Sequence, residues 1–345
     1  MKEKKDIRSL SIEELTSFFK SNNMPSYRAN QVYNWLWKKS CLSFDEMTNI
    51  SLELRNLLKS KFVINHIKID KLQKSKDGTI KNAISLYDNL LVESVLIPTK
   101  SRTTACISSQ VGCSLDCDFC ATSKMDRIRN LNPDEIYDQA VTINSQSIKY
   151  HDRPISNIVF MGMGEPLLNY SNVIKGIDKI TSKEGLGMSP KRITVSTSGI
   201  SKLIIKMADD NVKFNLAISL HSAIEKTRNK IMPFSKKFPL ENLLEAVKYW
   251  YLKTNKIVTY EYIVWEGIND DEDHINALVN FCKSSPSKVN LIEYNPINDG
   301  MFQQASSTAI DLYVSMLEAK NITVTVRRSR GKDIDAACGQ LANKA

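Results

Sequence analysis

Three cysteines stand within eight residues of one another, in the run Cys113-Ser-Leu-Asp-Cys117-Asp-Phe-Cys120. Thiolates this close repel, and a bound metal or cluster relieves the repulsion. Cubane iron–sulfur clusters normally take four cysteines, so three local ones leave one iron open to another ligand. The same spacing also admits a zinc site, for which Cys106 or His221 is available as a further ligand. The other cysteines are Cys41, Cys106, Cys282 and Cys338, and an odd total of seven argues for metal or catalytic use over a disulfide framework.

Two of the lone cysteines have suggestive neighbours. Cys338 lies in a Gly- and Ala-rich tail behind Arg327, Arg328, Arg330 and Lys332. A basic cluster lowers a thiol's pKa, and the thiolate is the nucleophile. Cys106 precedes the first clustered cysteine by seven residues. By residue type alone both also read as small buried hydrophobes. On the same footing Glu165 is a loop acid, His221 a buried hydrogen-bonded histidine, and Glu93 an exposed strand residue.

These groups need a scaffold, and the chain describes one. The first eighty residues read as short helices: Ser11 with Glu14 makes a capping box for a helix through Phe19, and 26–39 and 51–62 repeat apolar residues at helical spacing. Tyr33, Trp35 and Trp37, beside Arg28, Lys38 and Lys39, read as core aromatics, with base stacking as the other use. Residues 83–98 form two β-rich runs about Asp88-Asn89, a hairpin pattern. Strands are then expected at 103–109, 157–162, 192–197, 213–220, 257–265, 289–294 and 322–328, with helices between, including 133–149 and 239–253. Asn132 caps the first of these and Pro133 opens it. Repeated β–α units predict a parallel sheet, open or closed into a barrel.

The chain has 345 residues, 42% apolar and 25% charged, the composition of a soluble globular protein. No apolar run approaches the roughly 20 residues that cross a bilayer, and the charged start MKEKKDIRSLSIEEL lacks the apolar core of a signal peptide. A cytoplasmic location is expected. Of the net charge of +9, residues 1–70 carry +4 and residues 320–345 another +4, leaving +1 for the centre. Two basic ends on a near-neutral body suit contact with a polyanion, although ordinary solvated lysine gives the same count.

The motif C-x3-C-x2-C after a strand resembles the radical S-adenosylmethionine (SAM) superfamily. Its surroundings, SSQVGCSLDCDFCAT, are similar to the adenine-C2 methyltransferases of 23S ribosomal RNA and tRNA. The likeness continues through GMGEPLLN (162–169), VSTSG (195–199), SLHS (219–222), NLIEYNP (290–296) and DIDAACGQL (333–341), and so spans about 80–342. It implies a partial (β/α)6 barrel over 99–330, preceded by a helical RNA-contacting domain (1–80) and a β-hairpin extension (81–98), and followed by a tail (331–345). It implies a [4Fe-4S] cluster on Cys113, Cys117 and Cys120, with Gly164, Glu165, Ser196, Ser219, Leu220, His221 and Asn295 contacting SAM.

By the same resemblance Cys338 carries the methyl group, Cys106 resolves the intermediate through a transient disulfide, and Glu93 accepts a proton. Two SAM molecules are used per turnover. The implied partners are 23S rRNA, tRNA and a flavodoxin- or ferredoxin-type electron donor, with a monomeric enzyme and no membrane. The chain departs from the family pattern at Ser123, where Gly is usual, and at Glu293, where Pro is usual. The alternatives are the paralogous C8 methyltransferases that confer antibiotic resistance, a zinc-dependent RNA-binding protein without catalysis, and a radical SAM enzyme acting on a small molecule.

Overall fold

The computed structural model describes residues 4–297 and 300–342; the last three residues of the tail lie outside it. The chain opens with helices α1 (Ile12–Ser21), α2 (Tyr27–Tyr33) and α3 (Leu52–Lys61), α2 running on into a wider π turn over Asn34–Lys38. The capping box forms as read: Glu14 N–H donates to Ser11 Oγ and Ser11 N–H to Glu14. Trp37 is buried, its ring edge-on to Tyr137 at 5.3 Å. Trp35 is only half-buried, with Lys39 Nζ 3.5 Å from its ring centre. The core reading therefore holds fully for Trp37.

One ten-stranded sheet follows, its strand order the same as the chain order. The strands β1 (Lys68–Lys74), β2 (Ile80–Ser85), β3 (Leu91–Pro98) and β4 (Thr103–Cys106) pair antiparallel. From β4 onward every pairing is parallel, through β5 (Asn157–Phe160), β6 (Ile193–Thr197), β7 (Asn215–Ser219), β8 (Val258–Ile263), β9 (Ser287–Ile292) and β10 (Thr323–Arg327). Crossovers between parallel strands run through α4 (Pro133–His151), α5 (Tyr170–Thr181), α6 (Ser201–Asp209), α7 (Glu225–Ile231) with α8 (Leu240–Thr254), α9 (Glu272–Lys283) and α10 (Ser307–Glu318). Six β–α units and a final strand make a partial barrel. Among the described residues β10 pairs only with β9 and β1 only with β2, so no strand pairing closes the sheet.

Six of the seven parallel strands fall inside the expected ranges, and β9 begins two residues ahead of its range, at Ser287. The hairpin is there as well, but β1 adds a third strand ahead of it that sequence patterning does not reveal. The helical segment is welded to the sheet domain by Arg8, which is buried and donates to Asp138 at 2.8 and 3.0 Å and to Asp134 at 3.1 Å, both on α4. Tyr137 adds a hydroxyl bond to the Trp37 carbonyl at 2.6 Å. No described helix is long and apolar enough to cross a membrane.

Candidate active site

Parallel sheets gather functional loops at the C-terminal ends of their strands, and the cysteine loop begins there, directly after β4. Gly112 introduces it at φ +74°, where an added Cβ would lie 2.0 Å from the Asp126 carbonyl oxygen, so only glycine fits. The loop closes on itself through Cys120 N–H to Cys117 O at 3.1 Å. Ser123 takes no positive φ, so the missing glycine costs nothing there. Its hydroxyl donates to the Cys117 carbonyl and, at 2.7 Å, to that of Cys120, which stiffens the turn.

Cys113, Cys117 and Cys120 line one cleft of about 980 Å³, open on one side to solvent. Gly162, Gly164, Glu165, Ser196, Ser219 and His221 complete much of its wall. Burial pushes the Cys113 thiol up to about 12. Cys117 is raised by burial, then by Cys120 and Cys113; Cys120 is raised by burial. The protein by itself therefore disfavours thiolates here, and a cationic metal group reverses that preference. Among the described residues no three His, Cys, Asp or Glu side chains converge on one metal ion; the thiols surround a space. Buried Ser198 Oγ and Glu261 Oε2, both on the cleft wall, have no hydrogen-bond partner, which suits a polar ligand in the cleft.

Glu165 is buried and already ordered. Its carboxylate accepts from Leu167 N at 3.0 Å and Ser198 N at 2.8 Å, while its own amide donates to Gln110 Oε1 at 2.8 Å. Burial raises its pKa, against those hydrogen bonds. Gly164 beside it holds φ +90°, with Gln110 Cβ only 2.4 Å from where a side chain would begin. His221 accepts from Ile263 N on Nδ1 at 3.2 Å, and burial pushes its pKa down to about 3, so the ring is neutral. It stands edge-on to Phe119, within the cysteine loop, at 4.7 Å and to Trp265 at 5.8 Å. Leu220 and Asn295 are buried but do not line the cleft. Leu220 donates its amide to Glu261 O at 3.0 Å, and Asn295 donates its side-chain amide to Cys338 O at 3.2 Å.

The C-terminal tail closes the site. Ala121 N–H donates to Gly339 O at 2.7 Å, Thr122 Oγ1 to Leu341 O at 2.5 Å, and Gln340 Nε2 to Pro296 O at 3.1 Å. Glu293 anchors the approach to the tail, accepting from Ser329 N and Lys332 Nζ, each at 2.9 Å. Cys338 is thereby set in the wall between the cysteine cleft and a second cavity of about 1090 Å³. Cys106, Arg102, Arg327, Arg328 and Arg330 line the second cavity. Cys338 is exposed and lines both cavities.

Two sequence expectations are corrected here. The thiol of Cys338 is raised, not lowered, because burial outweighs Arg327, and Glu261 and Cys120 push the same way. Cys106 is likewise pushed up to about 12 by burial and then by Cys338. Glu93 is not exposed: it is 1% accessible, 3.2 Å from Lys81 Nζ, and accepts from Ala342 N at 2.9 Å. It lines neither cavity. Sequence reading also passes over Glu261, which lines the cleft with Oε2 at 3.6 Å from Arg327 Nη1, and the fully buried Arg228.

An open (β/α)6 sheet with three cysteines looping out of its first parallel strand defines a radical SAM enzyme, and residues 107–279 match the Radical SAM superfamily. Residues 5–64 match the family described as ribosomal RNA large subunit methyltransferase N-terminal domain. Over 342 residues the chain is 66% identical to a Flavobacterium johnsoniae protein named a probable dual-specificity RNA methyltransferase RlmN, covering 99% of this chain and 98% of that one. A protein of the same name from Cytophaga hutchinsonii is 54% identical, covering 99% and 93%. The crystal structure of a radical SAM methyltransferase from Sphaerobacter thermophilus superposes with a TM-score of 0.91 at 34% identity, covering 98% of this chain and 99% of that one. The chain belongs to the RlmN family of radical SAM methyltransferases, enzymes that use SAM and a [4Fe-4S] cluster.

Proposed function

We propose that the chain methylates carbon 2 of an adenine in 23S rRNA and in tRNA, with Cys338 carrying the methyl group to the base. The observation that carries this reading is the position of Cys338, hydrogen-bonded tail on one side and two cavities on the other, one walled by the cysteine triad and one by Cys106 and arginines. Carbon 2 of adenine is electron-poor and offers no lone pair to a methyl cation donor. The cluster and SAM, when bound, supply the radical chemistry that the carbon demands.

The chain's own residues do the rest. Cys113, Cys117 and Cys120 hold the cluster. Gly164, Glu165, Ser196, Ser219 and His221 bind SAM from the cleft wall, and Leu220 and Asn295 support that wall and the tail. As thiolate, Cys338 attacks the sulfonium methyl carbon, forming an S–CH3 bond as the CH3–S+ bond breaks and S-adenosylhomocysteine leaves. After the methyl carbon has joined the base, proton loss to Glu93 and attack by Cys106 on the Cys338 sulfur free the product and leave a Cys106–Cys338 disulfide, which an external thiol resets. For Glu93 the support is the family likeness alone. Arg102, Arg327, Arg328 and Arg330 draw the RNA phosphates to the second cavity, where an extruded base fits better than a stacked one.

The reading includes a cytoplasmic monomer fed by a flavodoxin- or ferredoxin-type donor. It also includes a division into RNA-contacting (1–80), hairpin (81–98), core (99–330) and tail (331–345) parts. Replacing Cys106 with Ala tests the cysteine pair. RNA then stays covalently bound to Cys338 and runs as a shifted band on a denaturing gel. A turnover-competent mixture that yields free RNA only would remove Cys106 from the mechanism.

A further inference from the structure

Buried charges in folded proteins are paired or hydrogen-bonded, because an uncompensated ion in a low dielectric is costly. Arg228 departs from this pattern. It is 0% accessible, and among the described residues it makes no ion pair. Its Nη2 donates to Ser198 O at 2.6 Å and its Nε to Leu220 O at 3.2 Å, whereas Nη1 has no partner. Burial lowers its pKa only to about 10, so it stays charged at neutral pH.

The position of that charge is specific. The helix that bears Arg228 ends at Ile231, whose carbonyl accepts from Asp118 N at 3.1 Å, inside the cysteine loop. Met232 N donates back to the Arg228 carbonyl at 2.8 Å, and Ile231 and Met232 pack with Cys113 and Cys117. Through Nη2 on Ser198 O, Arg228 stands behind the wall of the cleft that Cys113, Cys117 and Cys120 also line. An anion therefore suits the space in front of Arg228, and the three cysteines would supply it as cluster-bound thiolates.

We propose that Arg228 is a positioning residue that serves as the fixed counter-cation of the cluster and raises its reduction potential. This rests on the assignment of the cluster to Cys113, Cys117 and Cys120. On reduction one electron enters the cluster from a low-potential donor, with no bond formed or broken and no proton taken up. The site gains one negative charge, and a fixed cation nearby favours that state. Glu225, one helical turn before Arg228, partly offsets its charge, and its carboxylate also accepts from Leu240 N at 2.7 Å.

The test is potentiometric titration of the reconstituted full-length protein with dithionite, followed by electron paramagnetic resonance. Iron and sulfide contents are measured first, which examines the cluster assignment separately. Arg228→Gln is expected to shift the midpoint to lower potential, Arg228→Lys to stay near wild type, and Glu225→Gln to shift it upward. The Glu225 variant keeps the Leu240 hydrogen bond and reads the same field without disturbing the buried site. A wild-type midpoint in Arg228→Gln overturns the proposal, as does an equal fall in Arg228→Gln and Arg228→Lys, which would make the effect one of packing. An unchanged midpoint with weakened SAM binding also overturns it and moves the arginine's role to the SAM carboxylate.

Discussion

Asn295 gives its side-chain amide to the carbonyl of Cys338 at 3.2 Å, joining the chain just past β9 to the cysteine that lines both cavities. The same amide also reaches Glu293 O at 3.2 Å. This bond is the direct tie between the strand ends and the Cys338 backbone. Replacing Asn295 with Ala removes about 1 kcal/mol of tail anchoring, the net worth of one hydrogen bond. Hydrogen exchange at tail amides is then expected to speed up by about fivefold while the sheet amides stay as they were. Unchanged exchange would mean that the bonds to Ala121, Thr122, Pro296 and Glu93 hold the tail without Asn295.

The thiol of Cys338 lies above its ordinary value because burial outweighs Arg327. The rate at which Cys338 takes a methyl group is therefore expected to keep rising with pH beyond about 8.5, where an ordinary cysteine is half ionised. Arg327→Gln removes the main cation acting on the thiol and moves the profile further up. Mass spectrometry of the tail peptide across a pH series measures both. A plateau below pH about 8 would contradict the electrostatics described for this wall.

Arg8 faces Asp134 and Asp138 with all three side chains at least mostly buried. Removing the arginine leaves carboxylates buried together, at a cost of about 3–5 kcal/mol. Arg8→Met should lower the unfolding midpoint in urea by the corresponding amount, and adding Asp138→Leu should recover part of it. Equal stability of Arg8→Met and the parent chain would show that the Trp37–Tyr137 contacts and the packing around them join the two parts without the ion pairs.

His221 is held near pKa 3 against about 6.5 when unfolded. Between these values the unfolded chain binds the extra proton, so the stability this histidine contributes is full above about pH 6.5 and is lost as pH falls toward 3. The contribution to the slope is at most about 1.4 kcal/mol per pH unit. Comparing urea unfolding of the parent and of His221→Gln from neutral to acid pH isolates it. The difference between them should shrink as the solution is acidified, and a constant difference would contradict a neutral, buried ring.

The central parallel strands were legible because their β-branched and apolar runs are largely buried on both faces; β8, for instance, is buried at every position. Strand β1 was not, for two reasons. Its sequence KIDKLQK is a largely exposed edge strand, and a register shift between Ile69 and Lys71 breaks the two-residue alternation. The cysteine spacing was readable because its chemistry is local. Arg228 reads as an ordinary solvated arginine in EKTRNKI, and its burial follows only from how α7 packs behind the Ser198 and Leu220 loops. Glu93 misled for a similar reason, since its partner Lys81 lies on the neighbouring strand and its other partner at the far end of the chain.

The central claim is C2 methylation of RNA adenine through this site. Its most direct test is nucleoside mass spectrometry of 23S rRNA and tRNA incubated with cluster-loaded protein, SAM and a one-electron reductant. The account predicts 2-methyladenosine in both RNAs, and none with Cys338→Ala. Appearance of 8-methyladenosine, or of no methylated adenosine from protein that cleaves SAM, would contradict it.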